Sequence, residues 1–146
     1  MDHVLPLLIE RAAALRDRQA AATQQARLAA DQAGTTLGRL ESFRVDVLSQ
    51  SAAGTMARTS GDSLAGYQKF VTRLDDAIGM QAQETAVREA RVGEQQALLL
   101  DAQRRLLAFE TLQRRRAAQR DSRAQRKQQR ESDEFAARAA RRNNET

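Results

Sequence analysis

Ser49-Gln50-Ser51-Ala52-Ala53-Gly54-Thr55-Met56-Ala57-Arg58-Thr59-Ser60-Gly61-Asp62 is the only stretch of this chain that interrupts a helical pattern. Gly, Ser and Thr crowd into it, and such residues favour turns over helix interiors. On either side, over residues 5–48 and 64–109, apolar residues recur at heptad spacing. One break in a helical chain predicts two helices that fold back on each other. A connection of 14 residues is too short for a parallel pairing of arms this long, so the arms are expected to run antiparallel.

In the first arm, a positions at 5, 12, 19, 26, 33, 40 and 47 hold Leu, Ala, Gln, Ala, Ala, Leu and Val. The d positions 8, 15, 22, 29, 36 and 43 hold Leu, Leu, Ala, Ala, Thr and Phe. Eleven of these thirteen are apolar, which predicts an a/d coiled-coil seam. Its centre is almost all Ala, so the helices are expected to approach closely there. Pro6 suits a first helical turn, where its missing N–H costs nothing.

In the second arm, a positions from 64 to 106 read Leu, Val, Ile, Thr, Val, Leu, Leu, and d positions from 67 to 109 read Tyr, Leu, Gln, Arg, Gln, Ala, Phe. The polar d residues Gln81, Arg88 and Gln95 are expected to weaken the middle of the seam. Asp62 or Ser60 is a candidate N-cap. The predicted paired region is on the order of 65 Å long, and the unpaired remainder from about residue 107 overhangs by roughly 50 Å. The expected organisation is a single all-α domain over 1–146: helix 5–48, loop 49–62, helix 63–141 and a basic C-terminal overhang.

Charge follows the same division. Residues 1–103 hold 11 Lys/Arg and 13 Asp/Glu, net −2, whereas residues 104–142 hold 13 Lys/Arg and 5 Asp/Glu, net +8. Between Gln113 and Ser132 the only apolar residues are Ala. A lone helix this polar is marginal in water and is expected to order on a partner. A basic block points to an acidic protein, nucleic acid or a membrane surface.

Several function classes lose support. The chain has no Cys, which excludes disulfides and thiolate metal sites. No window approaches 18 consecutive apolar residues, so no span is expected, and the start Val4-Leu5-Pro6-Leu7-Leu8-Ile9 lacks the basic flank of a signal peptide. The expectation is a cytoplasmic protein beginning at Met1. His3, the only histidine, reads as solvated. The carboxylates Asp75, Asp76, Glu84 and Glu89 alternate with Arg and Gln, the pattern of a solvated helix face. Walker-type and Gly-x-Ser-x-Gly motifs are absent from the sequence. Gly34 and Gly38 form a GxxxG in a polar stretch, which either lets helices approach or softens one. No enzyme activity and no cofactor is expected. A basic zipper would carry its basic region N-terminal to the heptads, and RNA-stacking aromatics are missing, so nucleic acid is not the expected partner. The basic block has no large apolar face for membrane insertion.

Near the break the apolar residues outnumber what a two-stranded seam needs. Leu37, Leu40, Phe43, Val45, Val47 and Leu48 on one arm, and Tyr67, Phe70, Val71, Leu74 and Ile78 on the other, are either a contact surface or a wide core wrapped over itself.

Three stretches carry a family likeness. They are Tyr67-Gln68-Lys69-Phe70-Val71-Thr72-Arg73-Leu74-Asp75-Asp76-Ala77-Ile78, Leu106-Leu107-Ala108-Phe109-Glu110-Thr111-Leu112-Gln113, and Asp133-Glu134-Phe135-Ala136-Ala137-Arg138-Ala139-Ala140. In these, and in length and break position, the chain resembles FliJ, the small coiled-coil protein of the bacterial flagellar type III export apparatus. The stalk protein of injectisome secretion systems is similar in design.

The resemblance implies an antiparallel coiled coil like the central stalk of rotary ATPases. It implies partners too: the hexameric export ATPase, the membrane export gate and export chaperones, with peripheral association at the inner membrane. Carried over by position, the gate-contacting surface falls on Thr36, Leu40, Phe43, Val47, Phe70, Leu74, Ala77 and Gln81. Val47 and Gln81 stand where the family commonly has an aromatic and a His, and Thr36 where it has a Gln. Leu40, Phe43, Val47 and Leu74 are seam positions as well, so the two assignments compete. The ATPase contact is expected on Arg114, Arg115, Arg116, Arg123, Arg126, Phe135 and Arg138.

Overall fold

The computed structural model describes residues 3–51 and 61–145, the side chain of Asp62 excepted. Two helices make up the fold: α1 (Val4–Gln50) and α2 (Gly61–Asn144). They pack against each other as an antiparallel helical hairpin. Residues 52–60, the N-cap candidate Ser60 among them, lie outside what is described, as does the side chain of the other candidate, Asp62. Pro6 sits in the first turn of α1, and Arg141 and Arg142 close the last turn of α2, where cations complement the helix dipole.

The chain divides into two compact units, one of Leu15–Ala102 and one of Met1–Ala14 with Gln103–Thr146. In the first, both arms contribute small residues to a shallow core: Ala26, Ala30, Ala33, Thr23, Thr85, Leu74 and Ala102 are buried. Small side chains bury little apolar area each, but they let two backbones come close. In the second unit Leu5, Ala12 and Leu106 form the buried set. Partial cover there extends along α2 through Phe109, Glu110, Thr111 and Ala117; from Ala118 to Glu145 every residue is exposed.

The seam of α2 follows the expected a/d series. From Tyr67 through Phe109, every one of these positions is buried or half-buried, and only Leu64 is exposed. The seam of α1 does not. Its a series is covered, but the second series is 9, 16, 23, 30, 37 and 44, each one residue after the predicted d position. The predicted d residues Leu8, Leu15, Thr36 and Phe43 are exposed, and Ala22 and Ala29 only half-buried.

The a series is common to the predicted and the observed seam, so α1 is turned by about 50°, half the step between neighbouring residues, and presents Thr23 and Ala30 in place of Ala22 and Ala29. The polar seam residues of α2 find partners across this seam. Gln19 Nε2 donates to Gln95 Oε1 at 2.5 Å, and Thr23 Oγ1 lies 3.2 Å from the Gln95 carbonyl and 2.8 Å from its own Gln19 carbonyl. Gln81 Nε2 donates to the Ala33 carbonyl at 3.1 Å, and an Arg88 guanidinium nitrogen to the Ala29 carbonyl at 3.2 Å. The residues expected to weaken the middle instead bond across it. They reach backbone acceptors because Ala on α1 leaves its carbonyls accessible.

Gly34 and Gly38 do not serve close approach. A Cβ built on either meets no atom within 4 Å.

Candidate functional site

Two regions concentrate the residues to which the sequence assigns function, and each lies within one unit.

In the unit of 15–102, Phe43 of α1 and Phe70 of α2 meet edge to face, with ring centroids 6.2 Å apart and planes at 88°. Phe43 is rotated off the seam with the rest of the predicted d series, and Phe70 lies beside the α2 seam. The pair is therefore an external one, with 49% of Phe43 and 44% of Phe70 exposed. Next to it Arg44, a seam position, donates from Nε to Asp75 Oδ1. That hydrogen bond, and then the Asp75 charge, hold the Arg44 guanidinium above its ordinary range. The Tyr67 hydroxyl is buried with no hydrogen-bond partner among the described residues.

Of the other residues carried over for the gate contact, Ala77 and Thr36 are exposed, and Leu40 and Val47 half-buried. Thr36 turns its hydroxyl to the Gln32 carbonyl at 3.0 Å. Leu74 is a core residue, 7% exposed. Gln81 is half-buried and uses its amide on Ala33. The competition between seam and surface is thus resolved residue by residue: the two Phe rings and Ala77 face outward, Leu74 and Gln81 face the partner helix.

In the other unit, Arg114, Arg115, Arg116, Arg123, Arg126, Phe135 and Arg138 are all exposed. Few of the local polar groups neutralise one another. Arg114 lies 3.4 Å from the Thr111 hydroxyl, and Gln129 Nε2 donates to Asp133 Oδ1 at 3.1 Å. A groove of about 350 Å³ is lined by Leu5 and Pro6 from α1 and by Gln113, Arg116, Gln119, Arg120 and Arg123 from α2. Heptad counting missed it, because it forms where the apolar seam has already given way to Arg and Gln. The signal available was the i, i+4, i+7 spacing of Arg116, Arg120 and Arg123.

Nothing in either region has the form of a metal centre, since no cluster of three or more His, Cys, Asp or Glu occurs among the described residues. His3 is exposed. Among the described residues no helix is long and apolar enough to cross a membrane.

Residues 1–145, nearly the whole chain, match the flagellar FliJ protein family. The chain belongs to the FliJ family. As a FliJ protein it is a component of the flagellar export apparatus, and FliJ proteins are structural components rather than known enzymes. No curated protein and no solved structure gives a significant match. The family match covers both regions described above, the aromatic pair and the basic exposed run, so both belong to the FliJ chain proper.

Proposed function

We propose that this FliJ protein acts as a central-stalk-like coiled coil that binds the export ATPase hexamer, promotes its assembly and links it to the export gate and the export chaperones. The observation that carries the reading is the basic segment of α2. Residues 104–142 hold a net +8, and from Ala118 onward every described residue is exposed. An uncovered polar helix has few tertiary contacts to hold it, and a surrounding ring of subunits would supply them. Arg114, Arg115, Arg116, Arg123, Arg126, Phe135 and Arg138 form the ATPase contact in this reading. The gate contact is made by Phe43, Phe70 and Ala77 with Leu40 and Val47 beside them, while Leu74 and Gln81 hold the helices that present these groups. The protein works on the cytoplasmic side, peripheral to the membrane.

Truncation after Leu112 tests the ATPase contact. The shortened chain should lose stimulation of the export ATPase while keeping the circular-dichroism signal of the remaining hairpin. Full stimulation by the truncated chain would sink the assignment. Tight duplex binding that weakens steeply with salt would instead assign the basic run to nucleic acid.

A further inference from the structure

The α1 rotation leaves an apolar stripe uncovered, and the stripe has a partner row on α2. A groove of about 480 Å³ runs between Ala22, Gln25, Ala26 and Ala29 on one side and Glu84, Val87, Arg88, Arg91 and Gln95 on the other. Stepping by heptads from this centre, the same face carries Leu15 with Leu98 toward one end and Thr36 with Ala77 toward the other. The Phe43–Phe70 contact, one heptad further, shows that the two rows stay in step.

The face is self-complementary about its centre. The cross-helix bonds Gln19–Gln95 and Ala33–Gln81 bracket Ala26 on α1 and Arg88 on α2 at equal sequence distance. Take a two-fold axis at that level, passing by Gln25-Ala26 and Val87-Arg88, perpendicular to the helices. A second copy then lies antiparallel, α1 on α1 and α2 on α2. Ala22 falls opposite Ala29. Leu15, 37% exposed, falls opposite the smaller Thr36, and Leu98, 51% exposed, opposite the smaller Ala77. Glu84 falls opposite Arg91, twice by symmetry. Glu84 accepts from Arg88 through Oε1 at 2.8 Å, which leaves Oε2, and Arg91 has no hydrogen bond or ion pair among the described residues. Val87, 65% exposed, lies beside the axis, where an isologous interface brings it toward its own copy.

We propose that this groove is a homodimer interface, closed by a second copy of the chain in the antiparallel arrangement just described. Size and charge both argue for a copy. Large residues meet small ones, small meet small, and each acid meets a base, whereas a displacement of the axis by half a heptad sets Glu84 against Glu84 or Arg91 against Arg91. The proposal is independent of the ATPase reading, and the Phe43–Phe70 pair lies outside the self-paired segment.

Sedimentation velocity of the full chain over a hundredfold range of concentration tests it. Wild type should pass from monomer to dimer. Glu84→Arg and Arg91→Glu should each weaken association by about tenfold or more, since each variant sets like charges face to face. An equimolar mixture of the two variants should associate again, because every cross-interface pair is then opposite in sign. The chain contains no Cys, so A22C and A29C add single reporters, and the two chains mixed should form a disulfide-linked pair under mild oxidation. Helix content by circular dichroism checks that the variants fold. A wild type that stays monomeric throughout, or charge variants that associate as wild type does, overturns the proposal.

Discussion

Phe43 and Phe70 meet edge to face across the two helices while almost half of each ring remains exposed. A core pair would be covered on all sides, and this one is not. Substituting both by Ala should therefore separate binding from stability. Loss of a fully buried Phe costs about 3–5 kcal/mol, so each of these half-exposed rings should cost less than about half that. We expect a clear loss of affinity for the export gate, measured with purified gate domain, and only a small drop in melting temperature. Leu74→Ala, at a core position, should do the reverse, costing about 2–5 kcal/mol. Equal destabilisation by both changes would place the rings in the core.

The Gln19–Gln95 bond predicts that a double variant is more stable than the single one. Gln95→Leu removes the side-chain acceptor of Gln19 and leaves it only the longer contact with the Gln95 carbonyl, 3.3 Å, and should cost about 1 kcal/mol. Gln19→Leu with Gln95→Leu together should recover most of that loss, because two apolar groups replace two polar ones. Urea unfolding of the four members of the cycle measures the coupling, expected at about 0.5–3 kcal/mol.

Gly34, Gly38, Gly79 and Gly93 all lie inside helices, and a Cβ at each meets nothing within 4 Å. Ala at any of them should raise stability by about 0.5–1 kcal/mol, through the reduced entropy of the unfolded chain. Thermal melts of the single variants check this. A fall in stability at Gly34 or Gly38 would show a close approach there after all.

Arg44 offers a test by pH. Its folded-state pKa is raised by Asp75, so its contribution is fully present below the unfolded arginine value and is lost only as pH rises through the still higher folded value. The stability difference between wild type and Arg44→Gln should therefore stay flat from about pH 6 to pH 10, well below the arginine range. A difference that shrinks as pH rises through that window would mean that the guanidinium does not supply it.

The fold was largely legible. A single Gly/Ser/Thr break between two heptad arrays leads to an antiparallel hairpin, and the α2 seam follows directly from its a/d residues. The α1 seam was misread by one residue because counting apolar groups ranks Leu8, Leu15 and Phe43 above Arg16, Thr23 and Arg44. A seam is a pairwise matter between two helices, which a one-strand count cannot register: Thr23, on the observed series, reaches the Gln95 carbonyl of the opposite helix. The heptad count places Leu74 and Gln81 in the seam, where they are found, and the resemblance assigns them to the gate contact as well. Phe43 was readable as either seam or surface until the rotation of α1 was known.

The bonds across the hairpin are of two kinds. Gln81 and Arg88 hold backbone carbonyls of α1, and Gln19 and Thr23 the backbone carbonyl of Gln95, whereas Gln19–Gln95 and Arg44–Asp75 join side chain to side chain as well. The two side-chain pairs, one toward each end of this unit, depend on the identity of both partners. Between them the acceptors are main-chain carbonyls, which every residue type supplies, so those bonds do not depend on which small residue stands on α1.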